Sequence, residues 1–324
     1  MKIAIIGDPV PELKVRMDTT LLVAAECNRR GHEVHYTTPD KVFLQSQDPA
    51  AVWQKLSYLG QGGDLPQDSL GPPAVRPVTD FDLVLMRQDP PVDEKYTTLT
   101  HILDFSKVCV LNSPADVRSF NEKMSVLRLP GLSPPSLISI DPDVIQRFVR
   151  ESPHGCVLKP MNLFNGRGVI RLDHKNPDLS ELIRSGTEDY RKFVIIQHFV
   201  ADVEKGDKRV FLVDGKPIGR MNRVPAPGEW RANIHLGASP RPFELSPRDL
   251  EIIDGVATLL ADYDLPIACI DIIGAFLTEI NVTSPSGIPE INRIYGDGHE
   301  RPIVDYLEAR SWGGKRRDRP LEIG

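Results

Sequence analysis

Cys269-Ile-Asp-Ile-Ile-Gly-Ala-Phe-Leu-Thr-Glu-Ile-Asn-Val-Thr-Ser-Pro285 reads as two short strands joined at Gly274-Ala275. Ile270, Ile272, Leu277, Ile280 and Val282 are the apolar residues that would anchor such a pair. Side chains alternate along a strand, so Glu279 and Asn281 share a face. If the hairpin closes, Asp271 can lie opposite them. Two carboxylates and an amide oxygen at one spot form a hard, all-oxygen set, which suits Mg²⁺ bridging the phosphates of a nucleotide. An ordinary hairpin with polar residues facing water accounts for the same pattern. The rest of the chain has to decide between the two.

At 324 residues the chain is long for one simple core and comfortable for two or three domains. A net charge of -6 gives no global basic field to attract nucleic acid. The short cluster Lys315, Arg316, Arg317 and Arg319 reads as a solvated tail. Cys27, Cys109, Cys156 and Cys269 are far apart, without metal-ligand spacing, and three of them sit in apolar runs where a free thiol is a small core residue. Met1 to Gly7 runs straight into a turn, so no signal peptide is expected, and no stretch approaches transmembrane length. The expectation is a reduced, cytoplasmic protein without membrane or nucleic-acid partners.

The first residues predict a βαβ order. Lys2 to Ile6 is a buried strand, Thr19 to Arg30 a helix capped by Asp18 and ended by Gly31, and His32 to Thr37 the next strand. The loop between them lacks GxGxxG, so no nicotinamide cofactor is indicated there. Ser46 to Pro77, rich in Gly, Pro, Gln and Asp, reads as a mobile or inserted segment. Phe81 to Met86 and Lys107 to Leu111 are further strands, and Asn112-Ser-Pro114 reads as turn formers. A second unit starts near Asn121, with strands at Val157 to Pro160, Val169 to Leu172 and Phe193 to Ile196. Asp207 to Gly215 is a strand with an Asp-Gly hairpin signal, continuing into Ile218 to Asn222. A long Pro/Gly-rich loop covers Pro225 to Ser239. Ser246 to Asp262 is the clearest helix, with Leu250, Ile253, Val256, Leu259 and Leu260 at helical spacing.

Several residues fit a phosphate-bearing ligand. Lys159 ends an apolar strand, where a buried ammonium calls for an anion; a lone lysine also often snorkels to the surface. The loop Asn162 to Gly168, with Gly166 and Gly168, can offer backbone N–H groups to phosphate. Arg209, Arg223 and Arg231 suit a phosphoanhydride. Gln197-His198-Phe199-Val200 follows a strand whose edge suits an adenine, although a plain connector fits equally.

Taken in order, Asn121-Glu-Lys123, Leu158-Lys-Pro160, Gly206-Asp-Lys-Arg209, Arg231-Ala-Asn233 and the hairpin through Pro285 resemble the prokaryotic glutathione synthetases, which are ATP-grasp ligases. Met17-Asp-Thr-Thr20 and Leu85-Met-Arg-Gln-Asp-Pro-Pro91 are similar to that family too, so the match covers nearly the whole chain. The resemblance implies an α/β ATP-grasp fold with a Rossmann-like N-terminal domain (residues 1–120), a small central lid (121–200) and a catalytic domain (201–324). It implies that Lys123 and Lys159 hold ATP phosphates, that Gln197 to Val200 is the adenine hinge, and that Asp207 lies near the nucleotide. Arg209 and Arg223 would face the transferred phosphoryl group, with Arg231 and Asn233 reaching in from a mobile loop, Val224 to Arg241. Asp271, Glu279 and Asn281 would be ligands for Mg²⁺ or Mn²⁺, two ions in all. Ser284 would hold the amino-acid acceptor, and Asp18, Thr19, Arg87 and Asp89 are candidates for gripping the γ-glutamyl group. A homo-oligomer, dimer or tetramer, is expected, with the N-terminal domain at its interface.

The implied activity is ATP-dependent ligation of γ-glutamylcysteine and glycine through an acyl phosphate. One departure stands out: Leu163 and Asn165 replace glycines of the family's phosphate loop. Asn165 can adopt left-handed geometry, Leu163 only with strain, and Arg167 can supply a charge in exchange. Two other readings follow: a ligase joining a different carboxylate and amine, or a nucleotide-binding regulator without turnover.

Overall fold

The computed structural model describes residues 1–60 and 65–312. The basic cluster from Lys315 to Arg319, and residues 61–64 of the predicted insertion, lie outside the described residues.

The chain builds three sheets in sequence. The first contains β1 (Lys2–Gly7), β2 (Glu33–Thr37), β3 (Val42–Gln45), β4 (Asp48–Lys55), β5 (Ala74–Pro77), β6 (Leu83–Arg87) and β7 (Cys109–Leu111). Its order is β3-β4-β2-β1-β6-β7, with β5 pairing β4. The β2-β1-β6-β7 core is parallel, so the predicted doubly wound opening is present. Its helices are α1 (Thr19–Arg29), α2 (Glu94–Asp104) and α3 (Pro114–Ser119). Asp18 caps α1 by accepting the Leu21 N–H at 2.7 Å, as predicted.

Ser46 to Pro77 is not a structureless insertion where it is described. β4 buries Pro49, Ala51 and Trp53 and turns the residues between them outward, a clean period of two. The Trp53 indole donates to the Arg76 carbonyl at 3.2 Å, pinning β5 alongside. Flanking Gly and Pro hid that alternation. Asn112-Ser-Pro114 also does more than turn: the buried Asn112 amide donates to the Ile267 and Val282 carbonyls, both at 2.7 Å. It locks the first sheet to the third.

The second sheet, in the order β10-β9-β11-β8, contains β8 (Ser136–Ser139), β9 (Cys156–Pro160), β10 (Ile170–Leu172) and β11 (Val194–His198). With α4 (Pro142–Glu151) and α5 (Leu179–Gly186) it has its own core, including Ile145, Leu158, Leu172, Ile183 and Ile196. A unit with a separate core can shift against its neighbours without opening theirs.

The third sheet, β14-β13-β12-β15-β16, is antiparallel throughout. It contains β12 (Asp207–Val213), β13 (Lys216–Val224), β14 (Ser239–Arg241), β15 (Ile267–Ile273) and β16 (Phe276–Asn281). α6 (Pro247–Ala261), α7 (Ile288–Tyr295) and α8 (Arg301–Trp312) accompany it. Ser246 and Asp249 form a capping box at the start of α6. Ile252, Ile253, Val256 and Leu260 face the core, whereas Leu250, at the same helical spacing, is exposed. The first and third sheets share continuous cores: Ala4, Val84, Val210 and Ile270 belong to one cluster, and Ile3, Leu85, Phe211 and Ile291 to another.

Residues 121–132 were predicted to belong with the central unit but pack on the third sheet. The Ile280 and Leu277 N–H groups donate to the carbonyls of Glu122 (3.0 Å) and Leu132 (2.8 Å). The buried Glu122 carboxylate accepts the Val282 and Thr283 N–H groups and the Thr283 hydroxyl. The separate unit therefore starts near β8.

Candidate active site

The predicted hairpin is β15–β16, and its register pairs Asp271 directly with Glu279. A register shift follows, because Ile272 faces Leu277 and Thr278 is the extra residue. The Thr278 hydroxyl closes the bulge by donating to the Asp271 carbonyl. Extending the register across the sheet pairs Arg209 on β12 with Asp271, and Asp207 with Arg223 on β13. Opposed residues of antiparallel strands point the same way. One face of the sheet thus carries Arg223, Asp207, Arg209, Asp271 and Glu279 together.

Their contacts are charge-assisted and dense. The Arg209 Nε and Nη2 atoms donate to the two Asp271 carboxylate oxygens at 2.9 and 2.8 Å, a bidentate pair. Arg223 Nη2 reaches Asp207 at 2.5 Å and Asp271 at 3.0 Å. Burial alone would raise the Asp271 pKa, but Arg209 and Arg223 outweigh it and hold the carboxyl well below the usual range. Asp207 goes the other way. Burial raises it to about 6, because Arg223 is shared with Asp271 and offsets the desolvation only in part. Its Oδ1 has no partner, nor has Arg223 Nε. Orphaned polar atoms in a cavity wall mark where a ligand completes the network.

Lys123 and Lys159 approach from the opposite wall. Lys123 Nζ donates to the Leu163 carbonyl at 2.5 Å and lies 3.2 Å from Glu279. Lys159 Nζ bonds Gln197 Oε1 at 3.0 Å, and burial holds its pKa below the ordinary lysine value. Asn165 takes the left-handed φ of 55° that its side chain permits, and Gly166 and Gly168 follow at 68° and 66°. Asn165 thus takes, at an expected glycine, a backbone conformation that glycine adopts freely. Leu163 escapes strain, since its φ is not positive.

One cavity gathers most of the predicted residues: Lys123, Lys159, Gly166, Gln197 to Val200, Asp207, Arg209, Arg223, Arg231, Asn233, Asp271, Glu279, Asn281, Asp89 and Ser284. The remainder stand elsewhere. Asn162 and Gly168 flank the loop outside the lining. Thr19 Oγ1 accepts the Gly287 and Ile288 N–H groups, and buried Arg87 donates to Thr20 Oγ1 and the Pro285 carbonyl. Asp18 is spent on the helix cap. Thr19 and Arg87 thus tie the N-terminal domain to residues 285–288, and none of the three is part of the cavity lining. β11 is also not a sheet edge: it is paired by β9 and β8 on its two sides. His198 and Phe199 donate their N–H groups to Pro135 and Gly155, so an open edge starts no earlier than Val200.

The three predicted metal ligands differ in what they can offer a cation. Among the described residues no group of three or more His, Cys, Asp or Glu side chains forms a metal cage. Both Asp271 oxygens are taken by arginines, and Asn281 turns its amide nitrogen to Asp271 Oδ2 at 3.2 Å. That orientation frees the Asn281 oxygen. Glu279 and Asn281 therefore fit a cation that takes its remaining ligands from phosphate, as Mg²⁺ commonly does.

Residues that sequence reading missed include Trp230, which lines the cavity, and Glu122, which secures residues 282–283. An isolated Trp in a Pro/Gly-rich loop was the available signal for the first.

Asp8, after β1, accepts the Asp89 N–H at 2.9 Å. Burial, with the charges of Asp89, Asp18 and Glu12, raises its pKa to about 6. The folded chain thus keeps this proton above pH 3.8, where the unfolded chain loses it. Stability is expected to fall as pH rises from about 4 to 6, then to level off. After discounting for partial exposure the effect is about 1 kcal/mol. Asp8→Asn should remove this slope in urea-denaturation midpoints measured across that range; an unchanged slope would refute the assignment.

Known proteins agree with this architecture. Residues 1–118 match the family model for the prokaryotic glutathione synthetase N-terminal domain, and residues 122–296 that for its ATP-grasp domain. Glutathione synthetase of Rhodopseudomonas palustris is 39% identical over 313 residues, covering 96% of this chain and 99% of that one. The Brucella melitensis enzyme is 37% identical over 312 residues, covering 96% and 99%. Among solved structures, D-cycloserine synthetase DcsG superposes with a TM-score of 0.67 at 15% identity, over 96% of this chain and all of that one. The ATP-grasp ligase PsnB, solved with a phosphomimetic precursor variant, Mg and ADP, gives 0.62 at 21% identity, over 95% and 98%. The chain belongs to the prokaryotic glutathione synthetase family, and it is an ATP-dependent ligase of the ATP-grasp fold.

Proposed function

We propose that this chain condenses γ-glutamylcysteine with glycine at the expense of ATP. The observation that carries the reading is the single cavity in which Lys159 of the central unit meets Lys123, Arg209, Arg223 and the Glu279–Asn281 oxygens of the third-sheet region, with Asp89 arriving from the first sheet's domain. Two synthetases that share over 35% identity across nearly its whole length support the substrate pair.

A carboxylate does not react with an amine, because its leaving group would be oxide. In the first step a donor carboxylate oxygen attacks the γ-phosphorus of ATP and the bond to ADP breaks. In the second the glycine nitrogen attacks the acyl carbon, phosphate departs, and the ammonium protons pass to solvent. The protein's share is positioning and charge compensation. Lys123 and Lys159 hold the phosphate tail, while Arg209 and Arg223 meet the charge that grows on the transferred group. Gln197 to Val200 face the adenine, and Asp207 keeps its unpartnered oxygen for the nucleotide or the substrate. Glu279 and Asn281, with Asp271 behind them, would hold Mg²⁺ or Mn²⁺, which when bound neutralises phosphate charge. Ser284 and Asp89 line the substrate side. The acyl phosphate hydrolyses in open water, so the loop from Val224 to Arg241 excludes solvent. Residues 1–120 serve as the substrate domain, the separately cored central unit as the lid and the third sheet as the catalytic floor. Four cysteines, none in a disulfide among the described residues, suit a reducing cytoplasm, where we expect a homo-oligomer.

The test is ADP release by the purified protein with γ-glutamylcysteine and glycine, set against a panel of other carboxylate and amine pairs. Preference for another pair would reassign the substrate within the same reaction class. Nucleotide binding with no ADP release for any pair would sink the enzyme reading.

A further inference from the structure

The cavity has one apolar end. Val157, Phe199, Val203 and Ala232 are buried there, with Trp230 and Ile273 packed against them. Trp230 is the only Phe, Trp or Tyr between Pro225 and Ala238. Its ring meets Phe199 edge-on, at 5.9 Å between centroids and 68° between planes. The Arg171 guanidinium lies 3.6 Å from the Phe199 ring centroid. That cation closes off one side of the phenyl group.

The neighbours of Trp230 reach the other end of the cavity. The Glu229 carboxylate accepts the Trp230 and Arg231 N–H groups, both at 2.9 Å, and pairs with the Arg231 guanidinium. Arg231 then donates to the Gly166 carbonyl at 3.3 Å. Asn233 Oδ1 lies 2.6 Å from where a Cβ on Gly166 would sit, so the two loops meet at a point only glycine allows. Residues 230–233 of one loop therefore touch both the apolar end of the cavity and the phosphate loop.

Resting on the reading of this cavity as a nucleoside triphosphate site, we propose that Trp230 packs on the nucleobase opposite Phe199, so that closure of the 225–238 loop reports nucleotide occupancy. The phosphates alone do not complete that contact. The base supplies the flat surface that Trp230 covers, and it secures a loop whose Arg231 and Asn233 already lie against Gly166.

The full chain, its Trp230→Ala and its Trp230→Phe variants are titrated calorimetrically with AMP-PNP and Mg²⁺, and separately with inorganic tripolyphosphate and Mg²⁺. Trp230→Ala should weaken AMP-PNP about tenfold and leave tripolyphosphate unchanged, while Trp230→Phe stays within about twofold of wild type. Tryptophan emission of the wild type should change with AMP-PNP but not with tripolyphosphate, and Trp230→Phe should lose that change. Unweakened AMP-PNP binding by Trp230→Ala overturns the proposal, as does equal weakening of both ligands, which would make Trp230 a structural prop of the loop. If the wild type binds neither ligand, the nucleotide reading itself fails, a result distinct from both.

Discussion

Glu279→Gln should fold like the wild type and ligate roughly 100- to 1000-fold more slowly, the range seen when one group that stabilises transition-state charge is removed. The exchange keeps the shape of the side chain and removes only its charge. Glu279 is partly exposed, and its one ion pair, with Lys123, is at 3.2 Å. Lys123 keeps the Leu163 carbonyl as an acceptor, so the structural cost should stay near 1 kcal/mol and the melting temperature should move by a few degrees at most. The loss should fall on kcat, with a raised Mg²⁺ requirement, because an amide oxygen is a weaker ligand for a hard cation. ADP release measured against Mg²⁺ concentration reads both effects. Wild-type turnover at ordinary Mg²⁺ would remove Glu279 from the reaction.

That Asp271 and Glu279 share a face was legible because hairpins are local. Residues 269–285 carry two apolar runs, a Gly-Ala turn, an acid three residues before it and another four after it, and the one-residue mismatch is taken up locally by the Thr278 bulge, so nothing distant is needed to pair Asp271 with Glu279. The Asp214-Gly215 turn is of the same kind: both residues take positive φ, 51° and 73°, as a tight hairpin requires. The caps at Asp18 and Ser246 are also written within four residues of the helices they start.

Long-range pairing was not legible. Sequence reading brought Arg209 and Arg223 to the site through family resemblance, but that both arginines grip Asp271 depends on β12 lying between β13 and β15, an order no local pattern carries. The same gap explains the reading of β11 as an edge, since an apolar run looks alike whether one or two strands flank it. Arg87 and Thr19 sit where substrate residues belong in an α/β sheet, at strand ends and helix starts. Arg87 Nη2 and Thr19 Oγ1 instead bond residues 285–288, which arrive from almost 200 residues downstream or more.

Asp271→Asn should be the most destabilising conservative change in the site, and it should also end ligation. The wild-type carboxylate is buried between two guanidinium groups and accepts from both. An amide of the same shape removes the anion and leaves Arg209 and Arg223 with Asp207 as their only shared acid. Breaking a buried pair from one side costs about 3–5 kcal/mol, because the remaining charges stay desolvated. The Asp271 carboxyl is held well below its ordinary range in the folded chain, so its contribution is complete above the unfolded pKa and is lost only as pH falls through the depressed folded value. The deficit of Asp271→Asn in urea-denaturation midpoint should therefore be as large at pH 8 as at pH 6. Adding Arg209→Met to Asp271→Leu removes both members of the bidentate pair and should recover a large part of the stability, since apolar replacements of matched volume are often neutral where half-broken pairs are not. Ligation should not return in that double variant, because the cavity then lacks Arg209, one of the two guanidinium groups that meet the transferred phosphoryl group. A single Asp271→Asn chain that unfolds at the wild-type midpoint would mean the two arginines do not depend on this carboxylate. A double variant that recovers activity with stability would mean that the pair shapes the fold and takes no part in the chemistry.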